Sequence, residues 1–85
     1  MKIRLTKTFE KEFKKITRGN AALKQKISKQ LSLVLENPQH PSLRLHKLKG
    51  QEYWSLSVDM SLRVLLLREA HFITVFHIGK HEDVY

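Results

Sequence analysis

Apolar and polar positions along the chain change period twice, and each change marks an element. Lys2 to Leu5 alternates, with Ile3 and Leu5 apolar, and predicts a short strand. Phe9, Phe13 and Ile16 then recur at helical spacing behind Thr6 and Thr8, either of whose hydroxyls can cap the helix. Gly19-Asn20 interrupts this pattern and caps a second helix. That helix carries Leu23, Ile27, Leu31, Val34 and Leu35 on one side and stops at Asn37-Pro38. Gln39 to Ser42 reads as a loop. From Leu43 to Gly50 apolar residues alternate with basic ones, Leu43, Leu45 and Leu48 turning inward and Arg44, His46, Lys47 and Lys49 outward. Gly50 permits a turn.

Three further strands follow, at 53–58, 62–68 and 72–78. Side chains in a strand alternate faces, so register decides which residues meet. With Asp59-Met60-Ser61 and Glu69-Ala70-His71 as three-residue hairpin loops, Leu62 faces Val58, Val64 faces both Leu56 and Phe76, and Leu66 faces Trp54. The opposite face then sets Arg63 between Ser57 and His77. The expected order is β-α-α-β-β-β, an α+β fold with a helical hairpin on one face of a small, mainly antiparallel sheet. The first strand has no partner nearby in sequence. Beside the last strand it would pair in parallel, with the helices as the crossover.

Eighty-five residues form one small domain, 1–85, without repeat, linker or low-complexity tract. The chain has no cysteine, which excludes a disulfide framework, a thiolate metal site and a cysteine nucleophile. No apolar run approaches the roughly 20 residues that span a bilayer, and the N-terminus has no signal-like stretch. A cytoplasmic protein without a membrane partner is expected.

Charge sharpens this picture. The net charge is +8, but residues 1–50 hold 13 of the 16 Lys/Arg and 3 of the 8 acids, a balance of +10, whereas residues 51–85 carry −2. Such a basic half concentrates phosphate near the surface and suits nucleic acid or a large RNA particle; a solvated lysine-rich helix face is the plainer alternative. Lys24, Lys29, Lys47 and Lys49 are candidates to position phosphate.

Five histidines lack metal-ligand spacing, and neither a GxSxG elbow nor a glycine-rich phosphate loop is present. No metal and no cofactor is expected. What remains suits cleavage of RNA, which needs a base for the 2′-hydroxyl, a cation for the phosphate and an acid for the leaving oxygen. Histidine suits the first and last and arginine the second. His46, Arg63 and His81 are the candidates. Tyr85 joins them as a stacking or proton-donating group, and Ser57, Asp59 and His77 are auxiliary. His77 reads as readily as a satisfied sheet histidine, and Trp54 reads as core.

Phe9-x-x-x-Phe13-Lys14-Lys15, Asn37-Pro38, Leu45-His46-Lys47-Leu48-Lys49-Gly50, Trp54 to Val58, Leu62-Arg63-Val64 and Ile78 to Tyr85 appear in an order that resembles the RelE/ParE superfamily of type II toxin–antitoxin toxins. The likeness is greatest to the RelE and YafQ-like messenger-RNA interferases. It implies a toxin that enters the ribosomal A site and cuts the message by 2′-hydroxyl attack, leaving a cyclic phosphate, with no metal. The YafQ-like match places catalytic histidines at His46 and His81 and an aromatic at Tyr85. The RelE-like match places the phosphate-holding arginine at Arg63. Two departures stand out. Ser57 sits where YafQ-like enzymes have a further histidine, with Asp59 near the aspartate that follows. The RelE-like C-terminal arginine is replaced, leaving its role to His81, so the general base is His46 or His81. The implied partners are the ribosome, messenger RNA and a cognate antitoxin, through which the complex binds its own operator. The rival reading is a ParE-like toxin that binds a protein such as DNA gyrase without catalysis.

Overall fold

A computed structural model describes residues 1–80. Strand β1 (Lys2–Leu5) leads into α1 (Lys7–Thr17) and α2 (Ala21–Glu36). A 3-10 turn at Pro41–Leu43 precedes β2 (His46–Lys47), β3 (Trp54–Ser57), β4 (Leu62–Arg68) and β5 (Phe72–Lys80). The sheet order is β1-β5-β4-β3-β2, with β1 parallel to β5 and every other pairing antiparallel. This is the expected α+β architecture, with β2 as an additional edge strand drawn from the alternating 43–50 segment. None of the described helices is long and apolar enough to cross a membrane.

Both helices begin where side-chain chemistry offers a cap. Thr6 Oγ1 accepts from Phe9 N–H at 3.1 Å, and Asn20 Oδ1 accepts from Leu23 N–H at 3.1 Å. Between them Gly19 takes a positive φ of 69°, which costs glycine little. Glu10 in the first turn of α1 and Lys14 and Lys15 in its last complement the helix dipole. α2 ends at Asn37 because the residue before a proline is pushed out of helical conformation. Phe9, Ile27, Val34, Leu43, Leu56, Val64, Leu66, Ile73, Val75 and Ile78 form the buried layer between helices and sheet.

The β3–β4 hairpin has the expected register. Leu56 faces Val64, Ser57 faces Arg63, and Val58 N–H donates to Leu62 O across the Asp59–Ser61 loop. The β4–β5 register is different. Glu69 N–H donates to Phe72 O, so the loop has two residues, Ala70 and His71, and Arg68 pairs with Ile73. A bulge then skips Phe76, so that Leu66 faces Val75 but Leu65 faces His77. Each irregularity slips the register by one residue, and together they slip it by two, which restores the alternation of faces. Val64 therefore faces Ile78, not Phe76, and Arg63 faces Gly79, not His77. Phe76 leaves the core and meets Tyr53 edge-on at 5.4 Å. Because β4 lies between β3 and β5, those rings meet across it. The face away from the helices is thus not uniformly open: Leu65 is 4% exposed and Ser55 is fully buried.

Candidate functional site

Facing residues on neighbouring strands share a side of the sheet. His46 pairs with Ser55, and Ser57 pairs with Arg63; Ser55 and Ser57 both lie opposite the helix-facing Leu56. His46 and Arg63 therefore lie on the same side, away from the helices. They are separated by two strand spacings and one two-residue step, about 12 Å between Cα atoms on ideal sheet geometry.

Arg63 is half-buried between a serine and a glycine. Gly79 places no side chain beside it. Its Nη1 donates to Ser57 Oγ at 3.0 Å, Asp59 O at 2.6 Å and Leu62 O at 3.2 Å. One nitrogen thus anchors the side chain on the β3–β4 turn. The three N–H groups on Nε and Nη2 donate to no acceptor among the described residues, and they form the fork that matches a phosphate.

His46 is exposed on the edge strand, with Nδ1 2.9 Å from Arg44 O. A carbonyl only accepts, so Nδ1 carries the hydrogen and the neutral ring keeps its lone pair on Nε2. That nitrogen can take a proton. Arg44, which supplies the carbonyl, is a left-handed residue with φ 44° and ψ 41° after the Pro41–Leu43 turn, a strained conformation for a side chain larger than glycine.

The auxiliary candidates divide. Ser57 is buried and donates its Oγ–H to Asp59 O at 3.0 Å, so it supports Arg63. Asp59 shapes the turn: Oδ1 accepts from Ser61 N–H and Leu62 N–H, each at 2.8 Å. Burial alone would raise its carboxyl pKa. Hydrogen bonds from Leu62 and Ser61, with the charge of Lys26, outweigh that and hold it below the usual aspartate value. His77 is not beside Arg63. Its Nδ1 lies 2.6 Å from Glu12 Oε2, and Glu12 Oε1 accepts from Ile78 N–H at 3.1 Å. β1 pairs with β5 only as far as Val75, and beyond it the Glu12 carboxylate serves a β5 edge left unpaired among the described residues.

Lys47 pairs with Trp54 and so lies on the opposite side of the sheet from His46. Lys49 is exposed in the loop after β2, and Lys24 and Lys29 are exposed on α2, so the fold does not bring these lysines together with His46 and Arg63. His81 and Tyr85 lie outside the described residues. Three contributors escaped sequence reading. Gln30 lies in the apolar stripe of α2 and donates from Nε2 to Ser57 O at 2.9 Å, pinning the strand that carries the Arg63 anchor. Glu12 reads as an ordinary charge on α1. Arg68 reads as a solvated strand end, yet its guanidinium stands 4.7 Å from the centre of the Trp54 ring. Only the position of Gln30, three after Ile27, hinted at burial.

Residues 3–85 match the family described as the ParE toxin of the type II toxin–antitoxin system parDE. The chain belongs to this ParE toxin family. It is a type II toxin of the RelE/ParE superfamily, as the sequence motifs implied. No curated protein is a significant match. Among solved structures, YafQ from E. coli strain BL21(DE3) superposes with a TM-score of 0.82 at 15% identity, covering 98% of this chain and 96% of that one. The YoeB/ParE toxin from Agrobacterium tumefaciens gives 0.80 at 20% identity, covering 95% and 99%. YafQ in the E. coli DinJ–YafQ toxin–antitoxin complex gives 0.80 at 15%, covering 98% and 94%. At these identities the likeness is one of fold.

Proposed function

We propose that this toxin is a ribosome-dependent endoribonuclease that cuts messenger RNA in the ribosomal A site without a metal and so arrests translation and growth. The observation that carries the proposal is the pair on the helix-free side of the sheet: exposed His46 with its lone pair on Nε2, and Arg63 with three N–H groups uncommitted among the described residues. In this reading His46 Nε2 takes the proton from a ribose 2′-hydroxyl. The 2′-oxygen attacks the adjacent phosphorus, forming a P–O2′ bond, while the P–O5′ bond breaks. The products are a 2′,3′-cyclic phosphate and a 5′-hydroxyl. Arg63 stabilises the negative charge on the non-bridging oxygens. The protonated His81 gives its proton to the leaving 5′-oxygen, and Tyr85 stacks on a base. Lys47, Lys49, Lys24 and Lys29 hold phosphates at longer range. The expected compartment is the cytoplasm. The expected regulator is a cognate antitoxin covering the basic surface and carrying the complex to its operator; among proteins of this fold, YafQ forms a toxin–antitoxin complex with DinJ.

A second reading has one observation in its favour: the matched family is the ParE toxin. A ParE-like member would bind a protein target such as DNA gyrase and cut nothing. Primer extension on a message in a cell-free translation reaction separates the two. The enzyme gives discrete cuts inside translated codons that disappear with His46→Ala and with His81→Ala. Growth arrest with an intact message would move the conclusion to the binder.

A further inference from the structure

A second basic constellation lies beside β2 on the helix-facing side of the sheet, the side opposite His46 and Arg63. A cleft of about 430 Å³, within the size range of small-ligand sites, opens beside β2 and is lined by His40, Arg44, Leu45, Trp54 and Arg68 among others. Its two arginines are exposed and its indole is half-buried. No carboxylate of the described residues lines it, and the acid next in sequence, Glu69, is engaged by Thr74 Oγ1 at 2.8 Å.

Several elements bring basic groups to this side of the sheet. The face that Trp54 shares with Leu66 continues to Arg68, whose guanidinium stands over the indole. That contact orients the planar fork without using its N–H groups. Arg44 is held in its left-handed conformation at the end of the 3-10 turn. Lys47 pairs with Trp54 and adds a third cation on the same face. His40 Nδ1 accepts from Ser42 N–H at 3.1 Å, so its neutral ring has a further donor at Nε2.

We propose that this cleft is a phosphate-binding subsite that takes a backbone phosphate of a single RNA strand, while an adjoining nucleotide of the same strand lies at His46. Edge strand β2 makes the two sites continuous. His46 and Lys47 are adjacent and point to opposite faces, and the Arg44 carbonyl that fixes the His46 ring belongs to a residue lining the cleft. An RNA strand crossing the β2 edge meets both. The choice of RNA rests on the ribonuclease reading, whereas the phosphate chemistry rests on the cleft alone.

Trp54 is the only tryptophan, so its fluorescence reports this cleft directly. A short oligouridylate is titrated against the full chain, with Trp54 emission locating the contact and anisotropy of labelled RNA giving the affinity. Emission is expected to change on binding. Arg68→Gln and Arg44→Gln each weaken binding about tenfold, as loss of charge-assisted hydrogen bonds does, and each lowers the salt slope by about 0.7, the single-strand value per phosphate. Arg68→Lys recovers binding in part, and the distant Lys11→Gln leaves it unchanged. Circular dichroism confirms the fold of each variant. Wild-type affinity and salt slope in Arg68→Gln overturn the proposal. So does an emission change with polyglutamate but not with RNA, which assigns the cleft to an acidic protein segment. Uridine monophosphate binding as tightly as the oligomer makes the ligand a free nucleotide and overturns the strand assignment. Cleavage is read separately in the translation reaction. Cutting that persists while Arg68→Gln binds normally sinks the cleft alone, and Arg68-dependent binding without cutting sinks the enzyme reading alone.

Discussion

Arg63 uses one nitrogen for structure and keeps two for a ligand, and that division makes its replacement informative. Lysine cannot hold the turn and also present a planar fork. Arg63→Lys is therefore expected to lower cleavage about 10²- to 10³-fold, the range for loss of one preorganised transition-state donor. His46→Gln, which lacks the titrating ring, is expected to lower it about 10²- to 10⁴-fold. Both are checked by single-turnover cleavage beside circular dichroism, and normal rates in the two variants together would remove the site. Asp59 makes a separate prediction about acid. Its folded pKa lies below its unfolded value, so its stabilising contribution is present above the unfolded pKa and is lost as pH falls through the folded one. Asp59→Asn keeps an oxygen acceptor but cannot titrate. Its urea midpoint should decline less than wild type's as pH drops below the ordinary aspartate range, and parallel curves would show that the turn does not respond to this carboxylate.

A few polar contacts join helices to strands beside the apolar layer. Gln30 is 6% exposed and ties α2 to the end of β3 through Ser57 O. Removing it leaves a buried carbonyl without that donor, a loss of about 1–3 kcal/mol. Gln30→Ala should therefore lower the thermal midpoint and also lower cleavage, because Ser57 and Arg63 move together. A lower midpoint with unchanged cleavage would confine Gln30 to stability. The elements themselves were largely legible. Thr6, Asn20 and Asn37-Pro38 bound the helices where capping chemistry requires, and the Asp59–Ser61 loop set the β3–β4 register. The β4–β5 register was not legible. Glu69-Ala70-His71 has neither glycine nor proline to declare its turn length, and no local residue marks the bulge at Phe76, whose ring meets Tyr53. Sequence reasoning therefore put His77 beside Arg63, where Gly79 stands.

For the molecule as a whole, one apolar layer carries stability. Phe9 is 1% exposed, stacks on Phe13 at 5.8 Å between ring centres and belongs to the layer shared by both helices and the sheet. Phe9→Ala should cost about 3–5 kcal/mol, a large share of the roughly 5–15 kcal/mol that separates folded from unfolded domains. Chemical denaturation checks this, and a cost below about 1 kcal/mol would mean that the layer closes over the gap. A loss of this size can lower activity without touching the site, which is why each site variant needs a fold measurement beside it.

Sequence by itself determined the helices, most of the strands, the parallel option for β1, the basic half and the superfamily likeness. The likeness rests on the order of its motifs, and the rest follow from local periodicity, capping or composition, which a linear chain displays directly. Tertiary structure alone decided that Gly79 stands on the other side of Arg63 from Ser57, that Glu12 engages His77 away from that residue, and that Arg68 covers Trp54. It also decided which nitrogen of His46 carries the lone pair, through the Arg44 carbonyl. The His46 contact spans only two residues and turns on the left-handed Arg44 backbone, and the others are matters of register and of long-range contact. A single-residue slip reverses the faces of a strand, and no local pattern in the chain records whether a slip occurs or what later compensates it.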